Sequence, residues 1–375
     1  MPRPIQAIIH PHALTHNLNI ARQHMPDSHV FTVVKANAYG HGIERVYDAF
    51  KSADGFALLD LDEAQRIRAL GWTDRILLLE GIFAFPDLYV CAEHHLSFSL
   101  HSHHQVEWLK QFDALEHHDV RFDIYLKMNT GMNRLGFLPE DYRDIWQELI
   151  QLQCVSSITH MMHFSDADGE RFGERGIDYQ IKVFEQSIEG LPGERSLCNS
   201  AAILRHSSTI QSDVIRSGIM LYGSSPDYPR HSIQDWDLKP TMSLRSEIIA
   251  IQTIKEGQSV GYGSQFIAPQ EMRIGIVACG YADGYQRISP TGTPILVDSI
   301  RTQTLGRVSM DMLAVDLSSV SSARIGSEVV LWGYSSQGVI LAIDDVAASS
   351  GTLGYELMCG VTTRVLFSIE LKQFK

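Results

Sequence analysis

The run FTVV ends directly in Lys35 and continues into ANAYGHG, a polar stretch carrying two glycines. In a parallel barrel the C-terminal strand ends build the active site, so a lysine placed there points into the mouth of the barrel. A desolvated lysine has a lowered pKa and can condense with an aldehyde to a Schiff base. Taken alone, a strand-end lysine with its head in water is the more ordinary reading. Further along, THMMHFSDAD brings two histidines, His160 and His163, close together, and VIRSGIMLYG carries Arg216 beside Gly218 and Ile219. The last two lie where a strand passes into a helix, and backbone N–H groups and the helix dipole at such a junction favour an anion. There is no Walker-type glycine loop, so a phosphate would be held by amides and hydroxyls.

Eight short β-branched or aliphatic runs must position these groups: residues 29–34, 55–59, 75–79, 96–100, 121–126, 155–162, 194–199 and 212–216. Segments with apolar residues every three or four positions separate them, among them ERVYDAFKSA, DEAQRIRALG and YRDIWQELIQL. Eight βα units in about 200 residues fit a (β/α)8 barrel, although a doubly wound open sheet would use the same elements. Near residue 236 the helical period fades. LRSEIIAIQTI, RIGIVACGY, TPILVDS, TQTLGRV, MLAVDL and SEVVLWG then follow as closely spaced strands, interrupted by one helical piece around IDDVAASSG. The chain is expected to be an α/β protein: a (β/α)8 barrel over 1–235, then a mainly-β domain over 236–375 with which residues 1–10 could pair.

Lys plus Arg number 31 against 44 Asp plus Glu, a formal net charge of −13 over 375 residues. Nucleic-acid and anionic-membrane surfaces call for basic patches, so neither partner is expected, while a local cationic pocket for a small anion remains compatible with the total. Nothing approaches the ~18 apolar residues of a membrane helix, and the N-terminus has no signal-like apolar core. The cysteines, Cys91, Cys154, Cys198, Cys279 and Cys359, are odd in number and without CxxC spacing, which favours free thiols in a reducing cytoplasm. The histidine-rich stretches HHLSFSLHSHH and EHH read as solvated helix and loop positions, and no metal site is expected.

VVKANAYGHG resembles the cofactor-lysine motif of alanine racemases. The resemblance continues in order through LKMNTGMNRLGF, HFSDAD, NSAA, VIRSGIMLYG, VGYGSQF, GYADGYQR, GRVSMDM and YELMCGVTTRV, spread over both halves of the chain. It implies a barrel followed by a β domain and pyridoxal 5′-phosphate bound covalently to Lys35, a cofactor that spreads the charge left when an α-proton is removed. Racemisation needs a base on each face of the α-carbon, and the matching residues are Lys35 and Tyr262. A phenol has a reference pKa near ~10, so it needs help. The family supplies it through a histidine and an arginine, here His163, which opens HFSDAD, and Arg216. An arginine donating to the ring nitrogen would leave that nitrogen unprotonated and the ring a weaker electron sink.

The same resemblance gives Tyr39, Ser200, Gly218, Ile219 and Tyr355 to the phosphate, and Arg134 with the Met310 N–H to the substrate carboxylate. Lys127 matches a lysine that is often carbamylated and braces that arginine, whereas Asn129 stands where family members commonly carry Asp. Tyr281 lines the approach to the site, and Asp311 accompanies the substrate-side loop. In the family the β domain of one subunit covers the barrel of another, which implies a homodimer with shared sites. The activity implied is interconversion of L- and D-alanine for peptidoglycan. A serine or broad-specificity racemase of the same fold is the nearest alternative. A barrel-only protein of cofactor homeostasis is disfavoured by the second domain, and a barrel-type decarboxylase by Arg216.

Overall fold

The computed structural model describes residues 3–115 and 119–370. The EHH stretch at 116–118 lies outside them. Two compact units emerge: Leu18–Ala38 with Val46–Leu221 form one, and the other described residues form the second.

The first unit is built on eight strands: His29–Val33, Gly55–Leu58, Arg75–Leu78, Ser97–Leu100, Phe122–Lys127, Val155–Met161, Arg195–Ser196 and Val214–Ser217. Every ladder between them is parallel, and Val214–Ser217 returns to pair with His29–Thr32. The remaining gap is bridged by the Arg216 N–H donating to Cys198 O at 3.0 Å. The ring is thus nearly closed, as eight β-branched and aliphatic runs between amphipathic helices dictate. The helix Pro139–Leu149 shows the local logic: Pro139 opens it, Glu140 and Asp141 face the positive end of its dipole, and Tyr142, Ile145 and Leu149 are buried. Side chains alternate along each strand, so Asp123, Tyr125 and Lys127 form one inward column that ends at the mouth.

In the second unit the long strand Met242–Ile254 is the organiser. It pairs with Gln6–Ile9, Met272–Val277 and Glu328–Tyr334 inside a nine-stranded sheet, with a register shift between Ile248 and Ala250 that lets it serve different neighbours along its length. Gln6–Ile9 also pairs in parallel with Leu366–Ile369. The expected helical piece is Ile343–Ser349, and a second short helix, Gly354–Cys359, follows it. Gly40 has φ +80°, and a Cβ there would lie 2.2 Å from Met358 O, so the glycine lets residues beyond Tyr39 run against this helix.

His103 and His104 are exposed helical residues, and His101 contacts Glu80 O at 2.9 Å. Among the described residues no three His, Cys, Asp or Glu gather as metal ligands, and no helix is long and apolar enough to cross a membrane. Cys91, Cys154, Cys198 and Cys279 are buried free thiols, and Cys359 is exposed.

Candidate active site

Lys35 stands directly after the first barrel strand, at its C-terminal end. The chain then makes a turn that little in ANAY announces: Ala36, Asn37, Ala38 and Tyr39 all have φ between 50° and 55°. Left-handed backbone costs a residue with a Cβ roughly 1–2 kcal/mol, so such a run persists only where its surroundings hold it. The Ala38 N–H donates to Val34 O at 2.7 Å, the Asn37 N–H to the Glu63 carboxylate at 2.7 Å, and Arg66 Nη2 to Asn37 Oδ1 at 2.9 Å. The one sequence signal available was Asn37, since asparagine tolerates this conformation best after glycine.

Arg216 is buried in the last barrel strand. Its Nη1 donates to the carbonyl and hydroxyl of Ser196, each at 2.6 Å, and its Nη2 to Met162 O at 2.7 Å. Nη2 also lies 3.4 Å from His163 Nδ1. Among the described residues its Nε–H has no acceptor on the protein. Burial lowers the guanidinium to about 10, which leaves it charged at neutral pH. Burial first, then the positive charges of Arg216, Lys127, Arg134 and Lys35, holds His163 well below the usual histidine range, so its imidazole is neutral. His160, by contrast, lies wholly buried on the outward face of its strand, with Nδ1 3.0 Å from the Tyr142 hydroxyl and Nε2 3.2 Å from Pro192 O.

Lys127 ends the inward column and is buried; burial, then Arg216, Arg134 and Lys35, brings its amine down to about 8, with Glu80 opposing. Arg134 is exposed on the loop that follows. Asn129 shapes that loop: its Oδ1 accepts the N–H groups of Gly131 and Asn133 at 3.1 and 3.0 Å, which is backbone support and not charge compensation for the cations. Ser200 begins the helix Ser200–His206, which Asn199 caps, and the Ser200 hydroxyl accepts the Gly218 and Met220 N–H groups at 3.0 and 3.4 Å. Hydroxyl and amides therefore meet where Val214–Ser217 gives way to the turn Ile219–Tyr222.

In the second unit Tyr39 is buried, its ring centroid 4.5 Å from that of Tyr222 and 5.9 Å from that of Tyr355. Tyr262 opens a three-residue turn between Gly261 and Gly263, both near φ +72°, and is 73% exposed. Met310 is 52% exposed, and its N–H has no protein acceptor among the described residues. Tyr281 lies across from it, the Tyr281 N–H donating to Ser309 O at 3.0 Å and the Ala282 N–H to Met310 O at 3.0 Å. Asp311 accepts Arg364 Nη2 at 2.6 Å. Three further residues at this place, Arg3, Asp283 and Arg364, were not singled out from the sequence, although Asp283 lies inside GYADGYQR.

These residues suit pyridoxal 5′-phosphate in kind. Lys35 offers an amine for its aldehyde, Arg216 an unengaged donor for a ring acceptor, and the Ser200 O–H with the Ile219 N–H beside it a cradle for phosphate, the Gly218 N–H orienting the Ser200 oxygen. A lysine at a barrel-strand end, a buried arginine paired with a neutral histidine and a second, β-rich domain define a barrel-type amino-acid racemase.

Comparison with known proteins supplies the particular family. The alanine racemase N-terminal domain model matches residues 9–226 and the C-terminal domain model residues 241–368. An alanine racemase of Acinetobacter baumannii (strain SDF) is 67% identical over 98% of this chain and 99% of its own. The crystal structure of the biosynthetic alanine racemase of Pseudomonas aeruginosa superposes with a TM-score of 0.91 at 41% identity, covering 98% of this chain and 99% of that one. An alanine racemase of Bartonella henselae, solved with covalently bound pyridoxal phosphate, shares the fold at 22% identity and a TM-score of 0.86, covering 98% and 100% of the two chains. The chain belongs to the alanine racemase family, and its reaction is the interconversion of L- and D-alanine.

Proposed function

We propose that this racemisation uses pyridoxal 5′-phosphate on Lys35 and two bases, Lys35 and Tyr262, on opposite faces of the alanine α-carbon. The observation that carries the reading is the barrel mouth itself, where Lys35, Lys127, Arg134 and Arg216 surround a neutral His163. When bound, the cofactor delocalises the electron pair left on the α-carbon. Lys35 takes or returns the proton at Cα on one face, and Tyr262 does so on the other. Neutral His163, beside Arg216, is the hydrogen-bonding partner through which the tyrosine is tuned. Arg216 presents a fixed positive charge toward the ring nitrogen and so opposes its protonation.

Ser200, Gly218, Ile219, Tyr39 and Tyr355 hold the phosphate, and Arg134 with the Met310 N–H holds the substrate carboxylate. Tyr262, Tyr281 and Met310 act on the barrel of a second copy, so the working form is a homodimer. The exposure of Tyr262 and Met310, 73% and 52%, supports that reading, since large side chains so displayed mark contact surfaces. A site closed by Tyr281 suits a one-carbon side chain better than serine's. The reaction belongs to the cytoplasm, where it supplies D-alanine for peptidoglycan. The deciding experiment incubates purified protein with L-alanine and cofactor, and assays D-alanine for wild type and Lys35→Ala. Borohydride reduction followed by peptide mass mapping should tag Lys35. D-alanine formation by Lys35→Ala at the wild-type rate, or a tag on another lysine, would end the assignment.

A further inference from the structure

Two arginines far apart in sequence grip the same pair of loops in the second unit. Arg3 donates through Nη1 to Asp283 Oδ1 at 2.7 Å and through Nη2 to the carbonyl of Asp311 at 2.6 Å. Arg364 places Nε 3.5 Å from Asp283 Oδ1 and donates through Nη2 to Asp311 Oδ1 at 2.6 Å. Each guanidinium therefore bridges residue 283 to residue 311. Asp283 is fully buried and its second oxygen accepts the Gly280 N–H at 3.0 Å. A buried carboxylate is tolerable only with such charge-assisted partners.

The bridged loops are those that carry Tyr281 and Met310. Tyr281–Asp283 is a single short turn, and it lies so close to the other loop that a Cβ on Gly280 would sit 2.3 Å from Met310 O. Two backbone hydrogen bonds, Tyr281 N–H to Ser309 O and Ala282 N–H to Met310 O, complete the contact. Thr362 adds its hydroxyl to Ala282 O at 2.9 Å and its N–H to Asp283 O at 3.2 Å, so the segment leading to Arg364 is tied in as well. The Met310 loop is also closed by Ser309, whose N–H and hydroxyl donate to Met312 O at 2.9 and 2.6 Å, and neither loop carries a further helix or strand. A planar fork with several donors in fixed directions can hold two acceptors at set spacing, which a lysine cannot.

We propose that Arg3 and Arg364 are positioning residues for substrate: a double guanidinium clamp on Asp283 and Asp311 that fixes the Met310 N–H and the Tyr281 ring where alanine's carboxylate and side chain are met. The proposal rests on the reading above that Met310 and Tyr281 face the substrate. Neither arginine touches the reacting atoms, so releasing the clamp loosens binding and leaves the chemical step largely intact. Both side chains are partly exposed, 36% and 40%, and can be truncated without opening a cavity.

The test is steady-state kinetics of the cofactor-loaded enzyme in both directions for Arg3→Met, Arg364→Met, the double variant and Arg3→Lys, with Met310→Pro as a separate arm. Loss of the clamp should raise KM for L- and D-alanine about tenfold, with kcat within about threefold, because uniform binding is what is lost. The double variant should lose less than the product of the single effects, since both arginines hold the same pair, and Arg3→Lys should recover only part of the loss. Unchanged KM in the methionine variants, loss confined to kcat or melting temperature, or full rescue by Arg3→Lys would each overturn the clamp. Met310→Pro removes the N–H without touching either arginine. Unchanged KM in that variant would show the Met310 reading itself to be wrong, and the clamp would fall with it.

Discussion

Glu63 accepts the N–H of Asn37 at 2.7 Å, two residues beyond Lys35, and so braces a left-handed turn built without glycine. The carboxyl is buried, and burial above all pushes its pKa up, partly offset by the hydrogen bond from Asn37. Glu63→Ala removes that acceptor, a loss of about 1–3 kcal/mol, and frees the turn to relax toward ordinary backbone. The expected result is a lower melting temperature together with slower borohydride trapping at Lys35. Glu63→Gln keeps an acceptor and removes a buried charge. A raised carboxyl pKa means that wild-type stability declines as pH rises through the folded value, and this decline should be absent in the glutamine variant. Trapping rates equal to wild type in Glu63→Ala would show that the turn does not depend on this contact.

On the proposed two-base reading, Tyr262→Phe separates the two faces of the α-carbon. Enantiomers have equal free energy in water, so net racemisation must fall by the same factor in both directions. The asymmetry appears instead in exchange of the α-proton with deuterated solvent. With only Lys35 left as a base, the enantiomer whose α-proton faces Lys35 should still exchange with retained configuration, while exchange from the other drops by about 10²–10⁴-fold. Equal loss of exchange from both enantiomers, measured by proton NMR, would contradict the division of labour.

The barrel was legible in the sequence because eight buried parallel strands leave eight apolar runs, and the helices between them keep their three-to-four period. The weakest runs show the limit. ERSLCN shrinks to the two-residue strand Arg195–Ser196, whose carbonyls accept the Ser212 hydroxyl at 3.4 Å and Arg216 Nη1 at 2.6 Å. Lys35 could be placed at a strand end from FTVVK alone, but the turn after it could not, because Ala36, Ala38 and Tyr39 owe their conformation to Glu63 and Val34 and to nothing in their own propensity. Asp283 is not legible from sequence for a related reason. Its partners Arg3 and Arg364 are some 280 and 81 residues away, and no local pattern encodes an ion network closed by sheet pairing. The roles given to Tyr262, Met310 and Tyr281 came from motif resemblance, since an exposed tyrosine between glycines carries no chemical signature of its own.

His163 sets an acid limit. With its folded pKa held well below the ordinary value, the unfolded chain takes up the proton first as pH falls below about 6.5. Its contribution to stability is therefore complete above that pH and is lost on acidification, at up to about 1.4 kcal/mol per pH unit for the one proton. His163→Asn should flatten the dependence of unfolding free energy on pH between about 6.5 and 5. In the kcat profile of wild type no step from this histidine should appear between pH 5 and 8. Arg216→Gln removes one of the charges that depress it, so an acid-side step should move upward toward that window. The same variant strips donors from Ser196 O and Met162 O and should melt at lower temperature.

Lys127 gives a prediction of opposite character, a residue whose charge opposes folding. Burial and the neighbouring Arg216, Arg134 and Lys35 bring its amine from 10.5 down to about 8, equivalent to about 3 kcal/mol of disfavour for the ammonium below that pH. The unfolded chain then binds more protons between about 8 and 10.5, so stability from this residue rises with pH across that window. Lys127→Met, which leaves the stem and deletes the charge, should melt higher than wild type at pH 6–7 in carbon-dioxide-free buffer, and the difference should vanish as pH passes about 10. An amine with this pKa also has a reactive neutral fraction near pH 7.5. Its nitrogen can add to carbon dioxide, releasing one proton and exchanging a crowded cation for a carbamate facing three positive groups. Labelled bicarbonate should therefore yield a carbamate signal in carbon-13 NMR that Lys127→Met lacks, and bicarbonate should raise the melting temperature of wild type alone. Asn129 cannot supply that negative charge, because its side chain is committed to the Gly131 and Asn133 amides; a wild-type protein that neither binds the label nor gains stability would leave Arg134 braced by the loop alone.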